Sequence, residues 1–237
     1  NPEKTGRQAW AEGHIPGAVY FDIDAIKAGG TDLPHMLPDP VMFSSRARKL
    51  GLGDGNRIIV YDQFNFFASA RVWWMLRVMG QRDVKVLDGG LKAWTDAGGE
   101  TEDLPPVAVE RHFTARVRSD LLKDSDQMLA ASANSSHNII DSRSAERFSG
   151  EAPEPREGLP SGHIPGSICL PSGELRTEDG RMKSAEELGK LFPNPLAPTI
   201  ATCGSGVSAA VTALALARLG NWDVAVYDGS WAEWASD

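Results

Sequence analysis

The pentapeptide Gly13-His14-Ile15-Pro16-Gly17 returns as Gly162-His163-Ile164-Pro165-Gly166, 149 residues further on. A second motif, Asp88-Gly89-Gly90-Leu91-Lys92-Ala93-Trp94, returns as Asp228-Gly229-Ser230-Trp231-Ala232-Glu233-Trp234 at an offset of 140. Offsets this long exceed any solenoid period and imply two copies of one domain of roughly 110–120 residues. The first domain is expected over residues 1–120, linker included, and the second over residues 121–237. The join falls between Gly98 and Ser125, where Gly98-Gly99 and Pro105-Pro106 interrupt any helical periodicity.

Each copy reads as strand, loop, helix, strand. Arg57-Ile58-Ile59-Val60-Tyr61 and Thr199-Ile200-Ala201-Thr202 have the apolar character of buried parallel strands. Helices are expected over 70–79 and 208–219, with Gly80 and Gly220 as C-terminal stops. Short strands then follow over 84–87 and 224–227. Val19-Tyr20-Phe21-Asp22-Ile23 also reads as a strand. The expected fold class is therefore α/β: two tandem domains, each a parallel sheet with helices on both faces. Ligands of such sheets bind outside the carboxyl ends of the strands, which directs attention to the loops at Asp62 and Cys203.

Composition narrows the partners. With 24 basic and 32 acidic residues the net charge is −8, which argues against nucleic acid and acidic membranes as partners. The longest apolar run, Val207 to Ala217, falls short of a bilayer span, for which about 20 residues are needed. Two cysteines, Cys169 and Cys203, are too few and too isolated for a disulfide framework or a four-ligand zinc site. A reducing, cytoplasmic setting is the natural reading. The chain opens on Asn1-Pro2 without an initiator Met, which leaves open a targeting segment ahead of it.

Cys203-Gly204-Ser205-Gly206-Val207-Ser208 lies between an apolar strand and an apolar helix. Two glycines let the backbone curl into an anion-binding nest, and the following helix adds its positive end. Both favour a nucleophilic thiolate. Ser205 can donate a hydroxyl to that sulfur or to a leaving group. A cysteine phosphatase would need Arg six residues after the Cys to clamp phosphate, and that position is Ala209. Aligning the two apolar strands puts Asp62 opposite Cys203. The bulky Gln63-Phe64-Asn65-Phe66-Phe67 cannot form the same nest, so the first copy is expected to lack thiol chemistry.

The remaining candidates are open to two readings each. Arg147 and Arg156 can hold a carboxylate in fork geometry or pair with neighbouring glutamates as solvated loop residues. Asp24 and His35 can serve in turns or in catalysis. His14 and His163 recur with the repeat, which points to a shared structural role. Cys169 reads as an inert strand-core residue and Trp73-Trp74 as core packing.

Taken together these motifs resemble the tandem rhodanese family. The resemblance rests on the doubled Gly-His-Ile-Pro-Gly, on a Cys-headed loop in the second copy only, and on Asp228-Gly229-Ser230-Trp231-Ala232-Glu233-Trp234. It implies two rhodanese-like domains and sulfur transfer through a Cys203 persulfide, a chemistry that requires no metal or cofactor. Cys203-Gly204-Ser205-Gly206-Val207 resembles the members that use 3-mercaptopyruvate. In that reading Arg147 and Arg156 hold the donor carboxylate, together with the loop residues Gly204, Gly206, Val207 and Ser208. Ser205, Asp24 and His35 serve the catalytic step. The acceptor would be cyanide or a thiol such as that of a thioredoxin-like protein. Thiosulfate:cyanide sulfur transfer and a non-enzymatic sulfur carrier remain the alternatives. The resemblance further implies a strand ahead of the first repeat, which these residues do not supply: either the sequence is incomplete at its start or the first domain lacks that strand.

Overall fold

In the computed structural model, residues 4–63 and 66–236 are described. Phe64 and Asn65, two of the residues expected to bar a nest at Asp62, lie outside them. The chain forms two compact units. The first comprises residues 1–29, 37–117 and 179–181; the second comprises 30–36, 118–178 and 182–237.

The first unit contains α1 (Gly6–Glu12), α2 (Pro40–Lys49), β1 (Ile58–Val60), α3 (Phe67–Val78), β2 (Val84–Val86) and α4 (Gly90–Asp96). Capping accounts for two of the helix starts: Thr5 and Gln8 form a capping box on α1, and Asp39 accepts the Val41 and Met42 N–H groups ahead of Pro40. Strands β1 and β2 pair in parallel. Helix α3 buries nearly its whole surface, with Trp73, Trp74 and Met75 each 1 % exposed, so the tryptophan pair is core. Arg71, equally buried, lies over the Trp74 ring, 4.4 Å from its centroid. Gly80 ends the helix at φ +91°.

The expected strand over 19–23 does not form. Residues 18–22 carry no ladder. The reason is physical: a strand exists only by pairing, and among the described residues no neighbour lies along this segment.

The second unit contains β3 (Leu122–Lys123), α5 (Ser125–Asn134), β4 (Asn138–Asp141), α6 (Ala145–Ser149) and β5 (Ser167–Cys169). It continues with α7 (Ala185–Leu191), β6 (Thr199–Thr202), α8 (Ala209–Arg218), β7 (Ala225–Tyr227) and α9 (Ser230–Trp234). Its five strands are all parallel, in the order β3-β7-β6-β4-β5. Ile139, Ile200, Ala225 and Tyr227 form one core with Met128 and Ala131 of α5 and Trp231 of α9. Alternation along the strands turns Ile140, Ala201 and Val226 to the other face, and α8 packs on β6 and β7. Strand β6, Thr199-Ile200-Ala201-Thr202, is buried along its full length, as expected of a central parallel strand.

The repeat is structural as well as textual. His14 stacks on Trp10 at 4.2 Å and its Nδ1 lies 3.0 Å from the Trp10 carbonyl. His163 stacks on Phe148 at 3.9 Å with Nδ1 2.9 Å from the Phe148 carbonyl. Both histidines brace the turn that follows them. Cys169, expected in the strand core, is instead half-buried on β5; burial and then the Asp141 carboxylate raise its pKa and keep the thiol protonated.

Candidate functional site

The Cys203 loop begins where β6 ends, at the carboxyl end of the sheet. Gly206 takes φ +75°, a left-handed turn that only glycine adopts without strain, and directs the chain into α8 at Ala209. Cys203 is 2 % exposed. The Cys203 and Gly204 carbonyls accept the N–H groups of Trp231 (2.9 Å) and Ala232 (3.0 Å), so α9 is stitched to the loop. In the first unit the Asp62 carbonyl accepts Leu91 N–H at 3.0 Å in the same way. There the Asp62 carboxylate also accepts Ser69 N–H at 2.9 Å, so a fixed anion stands where the second copy has its thiol.

Ser230 is a residue that the repeat flagged only as a difference from Gly90. Its backbone holds φ +53°, close to the +58° of Gly90. Its hydroxyl accepts Cys203 N–H at 3.2 Å, donates to the Tyr227 carbonyl at 2.8 Å, and lies 4.0 Å from Cys203 Sγ. The signal was legible: a polar side chain replaced glycine where the turn touches the Cys203 loop.

Arg147 and Arg156 converge on the same loop. A Cβ built on Gly204 would lie 2.8 Å from Arg147 Nη2 and 4.0 Å from Arg156 Nη1, so the absence of a side chain at 204 lets both guanidinium groups approach. Arg147 is not a solvated loop residue. Glu154, its side chain 1 % exposed, accepts Arg147 Nε at 3.1 Å and Nη2 at 2.5 Å. Glu154 Oε1, the oxygen that accepts Arg147 Nε, also accepts Arg143 Nη1 at 2.8 Å, and Arg143 in turn is bound through Nε and Nη2 by Asp141, at 3.1 and 2.6 Å. Arg143 also donates to the Gly162 carbonyl and lies over the Trp231 ring. Burial opposes the charge on Glu154, but the hydrogen bond and charge of Arg147, with those of Arg143, hold its pKa below the usual carboxylate range. Asp141 and Arg143 escaped sequence reasoning, whereas the Arg147–Glu154 pair is the glutamate pairing that is one of the two readings of Arg147.

The arrangement sets two guanidinium groups beside the Cys203 loop, a geometry suited to a small carboxylate. Gly204→Ala should displace the Arg147 guanidinium, whose preferred place is fixed by Glu154. Binding of a small carboxylate should weaken about tenfold, with stability changed by less than about 1 kcal/mol, because the obstructing atom is a side-chain end. Titration calorimetry and thermal unfolding check both.

The other candidates are placed as follows. Ser205, Val207 and Ser208 are half-buried in the loop. His35, at φ +59°, lies on segment 30–36 of the second unit; Asp24 is exposed in the first. Among the described residues no group of three His, Cys, Asp or Glu could hold a metal ion, and no helix is long and apolar enough to cross a membrane.

Residues 5–97 and 124–237 each match the Rhodanese-like domain family. The chain is 42 % identical to the 3-mercaptopyruvate sulfurtransferase of Escherichia coli strain K12 over 233 residues, 97 % of this chain and 83 % of that protein. It is 39 % identical to the mitochondrial thiosulfate/3-mercaptopyruvate sulfurtransferase 1 of Arabidopsis thaliana, covering 97 % of this chain and 67 % of that one. Among solved structures, SseA from Escherichia coli, described as a rhodanese fold of 3-mercaptopyruvate sulfotransferases, superposes with a TM-score of 0.87. The two are 39 % identical, over 97 % of this chain and 87 % of that one.

Proposed function

The chain belongs to the rhodanese family, and from that premise we propose that it is a sulfurtransferase using 3-mercaptopyruvate as donor and Cys203 as the carrier of the sulfur. The observation that carries the choice of donor is the pair of guanidinium groups, Arg147 and Arg156, drawn over Gly204 next to Cys203. Mercaptopyruvate has a carboxylate for them; thiosulfate has none.

The reaction runs in two steps. The Cys203 thiolate attacks the donor sulfur and forms an S–S bond. The donor C–S bond breaks, its electron pair passing to carbon as the enolate of pyruvate, which takes up a proton. Delocalisation into the ketone makes this a good leaving group. We assign stabilisation or protonation of that oxyanion to Ser205 with Asp24 and His35. The persulfide on Cys203 then gives its outer sulfur to cyanide or to a thiol acceptor such as a thioredoxin-like protein, restoring the thiolate. Ping-pong kinetics follow from this sequence. Gly204, Gly206, Val207 and Ser208 form the loop that cradles the carried sulfur. No cofactor or metal takes part in these steps. We place the protein in the cytoplasm, a reading supported by its two free cysteines.

Arg156→Ala tests the donor. KM for mercaptopyruvate should rise by about 10–100-fold with kcat little changed, while KM for thiosulfate moves much less. Equal effects on the two donors would remove the assigned role and favour the thiosulfate reading.

A further inference from the structure

Arg147 and Arg156 stand at the head of a larger cluster of charges in the second unit. Asp141, Arg143, Glu154 and Arg147 form an unbroken chain of ion pairs at 2.6, 2.8 and 2.5 Å, and their two positive and two negative charges cancel. Arg156 has no ion pair among the described residues. The loop from Cys203 to Ser208 contributes no Lys or Arg. A ligand at Gly204 therefore meets one net positive charge from this cluster, although two guanidinium groups face it.

We propose that Glu154 is a specificity-determining residue, which by cancelling the charge of Arg147 sets the site for a monoanionic sulfur donor and against a dianionic one. The inference rests on the reading of Arg147, Arg156 and Cys203 as the donor site.

Three observations carry it. The first is proximity. Arg147 Nη2, the nitrogen 2.8 Å from a Cβ built on Gly204, is the same nitrogen that donates to Glu154 Oε2. One guanidinium nitrogen separates the carboxylate from the ligand's place, so the ligand feels both charges at close range.

The second is burial. The Glu154 side chain is 1 % exposed, so neither water nor salt screens its charge well. Burial opposes ionisation, but the hydrogen bonds and charges of Arg147 and Arg143 prevail, and Glu154 is a carboxylate at neutral pH.

The third is the charge of the donors. Mercaptopyruvate has one carboxylate, and its thiol, in the ordinary range near about 8.5, is neutral at pH 7. Thiosulfate is a dianion. One unit of charge at the site acts on a dianion with twice the energy that it has on a monoanion at the same distance. The Cys203 thiolate needed for attack cancels the last net positive charge, so a second negative charge on the donor has no match.

The test is steady-state kinetics of the full chain with each donor, at fixed ionic strength and with cyanide as acceptor. Glu154→Gln keeps the oxygen that accepts Arg147 Nε and Arg143 Nη1 but removes the charge. The kcat/KM for thiosulfate, relative to that for mercaptopyruvate, should rise about tenfold or more. Glu154→Asp keeps the charge on a shorter side chain, so both values should fall while their ratio stays within about threefold of the parent's. An equal loss on both donors in Glu154→Gln, or the same change of ratio in Glu154→Asp, overturns the proposal, because a merely structural role gives one or the other. A measurement on the unaltered chain decides the matter even if Glu154→Gln does not fold. Pyruvate, a monoanion, should compete with mercaptopyruvate about tenfold or more better than malonate, a dianion of equal carbon number. Equal competition overturns the proposal. An unaltered chain that preferred thiosulfate would overturn the donor assigned above, and the change of ratio in Glu154→Gln would still decide the role of Glu154.

Discussion

Cys203→Ser should abolish sulfur transfer from every donor, by roughly 10⁴-fold or more in kcat, while the unfolding temperature stays within a few degrees. A serine hydroxyl is nearly isosteric in the buried loop and can keep the backbone bonds from Cys203 N–H to Ser230 and from Trp231 N–H to the Cys203 carbonyl. What it cannot do at neutral pH is ionise and accept a sulfur atom. Intact-mass measurement after incubation with mercaptopyruvate isolates the step: the unaltered chain should gain one sulfur, about 32 Da, and the serine variant none. A gain on Cys169 instead would reassign the nucleophile. Its raised pKa and its place on β5 make that thiol a poor competitor.

Arg143→Ala should be the most destabilising of the single substitutions considered for the second unit. It strands two buried carboxylates, Asp141 and Glu154, whose side chains are each 1 % exposed. Removing one partner of such a network costs about 3–5 kcal/mol. For a chain of this size that lowers the unfolding temperature by roughly 6–20 °C. The effect depends on pH with a defined sign. Glu154 has a folded-state pKa below its unfolded value, so its contribution is present above the ordinary carboxylate range and is lost as pH falls through the folded value. The gap between the two proteins should therefore be widest near neutrality and narrow below about pH 4. Calorimetric scans at a series of pH values read this directly. A gap that widened in acid would contradict the assigned charge states.

The residues that announced themselves in the sequence are those whose role is local. Gly80 and Gly220 end helices because a left-handed residue there closes the last turn, and both do so in the structure, at φ +91° and +95°. The Cys203 loop was legible because its glycines, its cysteine and the helix after it are contiguous. Val19–Ile23 shows the limit: its composition suits a strand, but strand formation is decided by what lies alongside, and composition carries no record of a neighbour. The ion network shows the same limit from the other side. Asp141, Arg143, Glu154 and Arg147 occupy a strand end, a turn, a loop and a short helix, and only the fold brings their charges within hydrogen-bonding reach.

That network has an implication for how such a protein can change over time. The guanidinium assigned to choosing the donor is wired through Glu154 and Arg143 to Asp141, at the end of a strand in the middle of the sheet. A substitution that loosens Arg147 at its Glu154 end also uncovers a buried charge, so the variant is removed as a misfolded chain before its altered preference is expressed. Arg156 carries no such tether to Glu154. Drift in donor choice should therefore enter through Arg156 and the Gly204 loop, and lineages that diverge in substrate should differ there first.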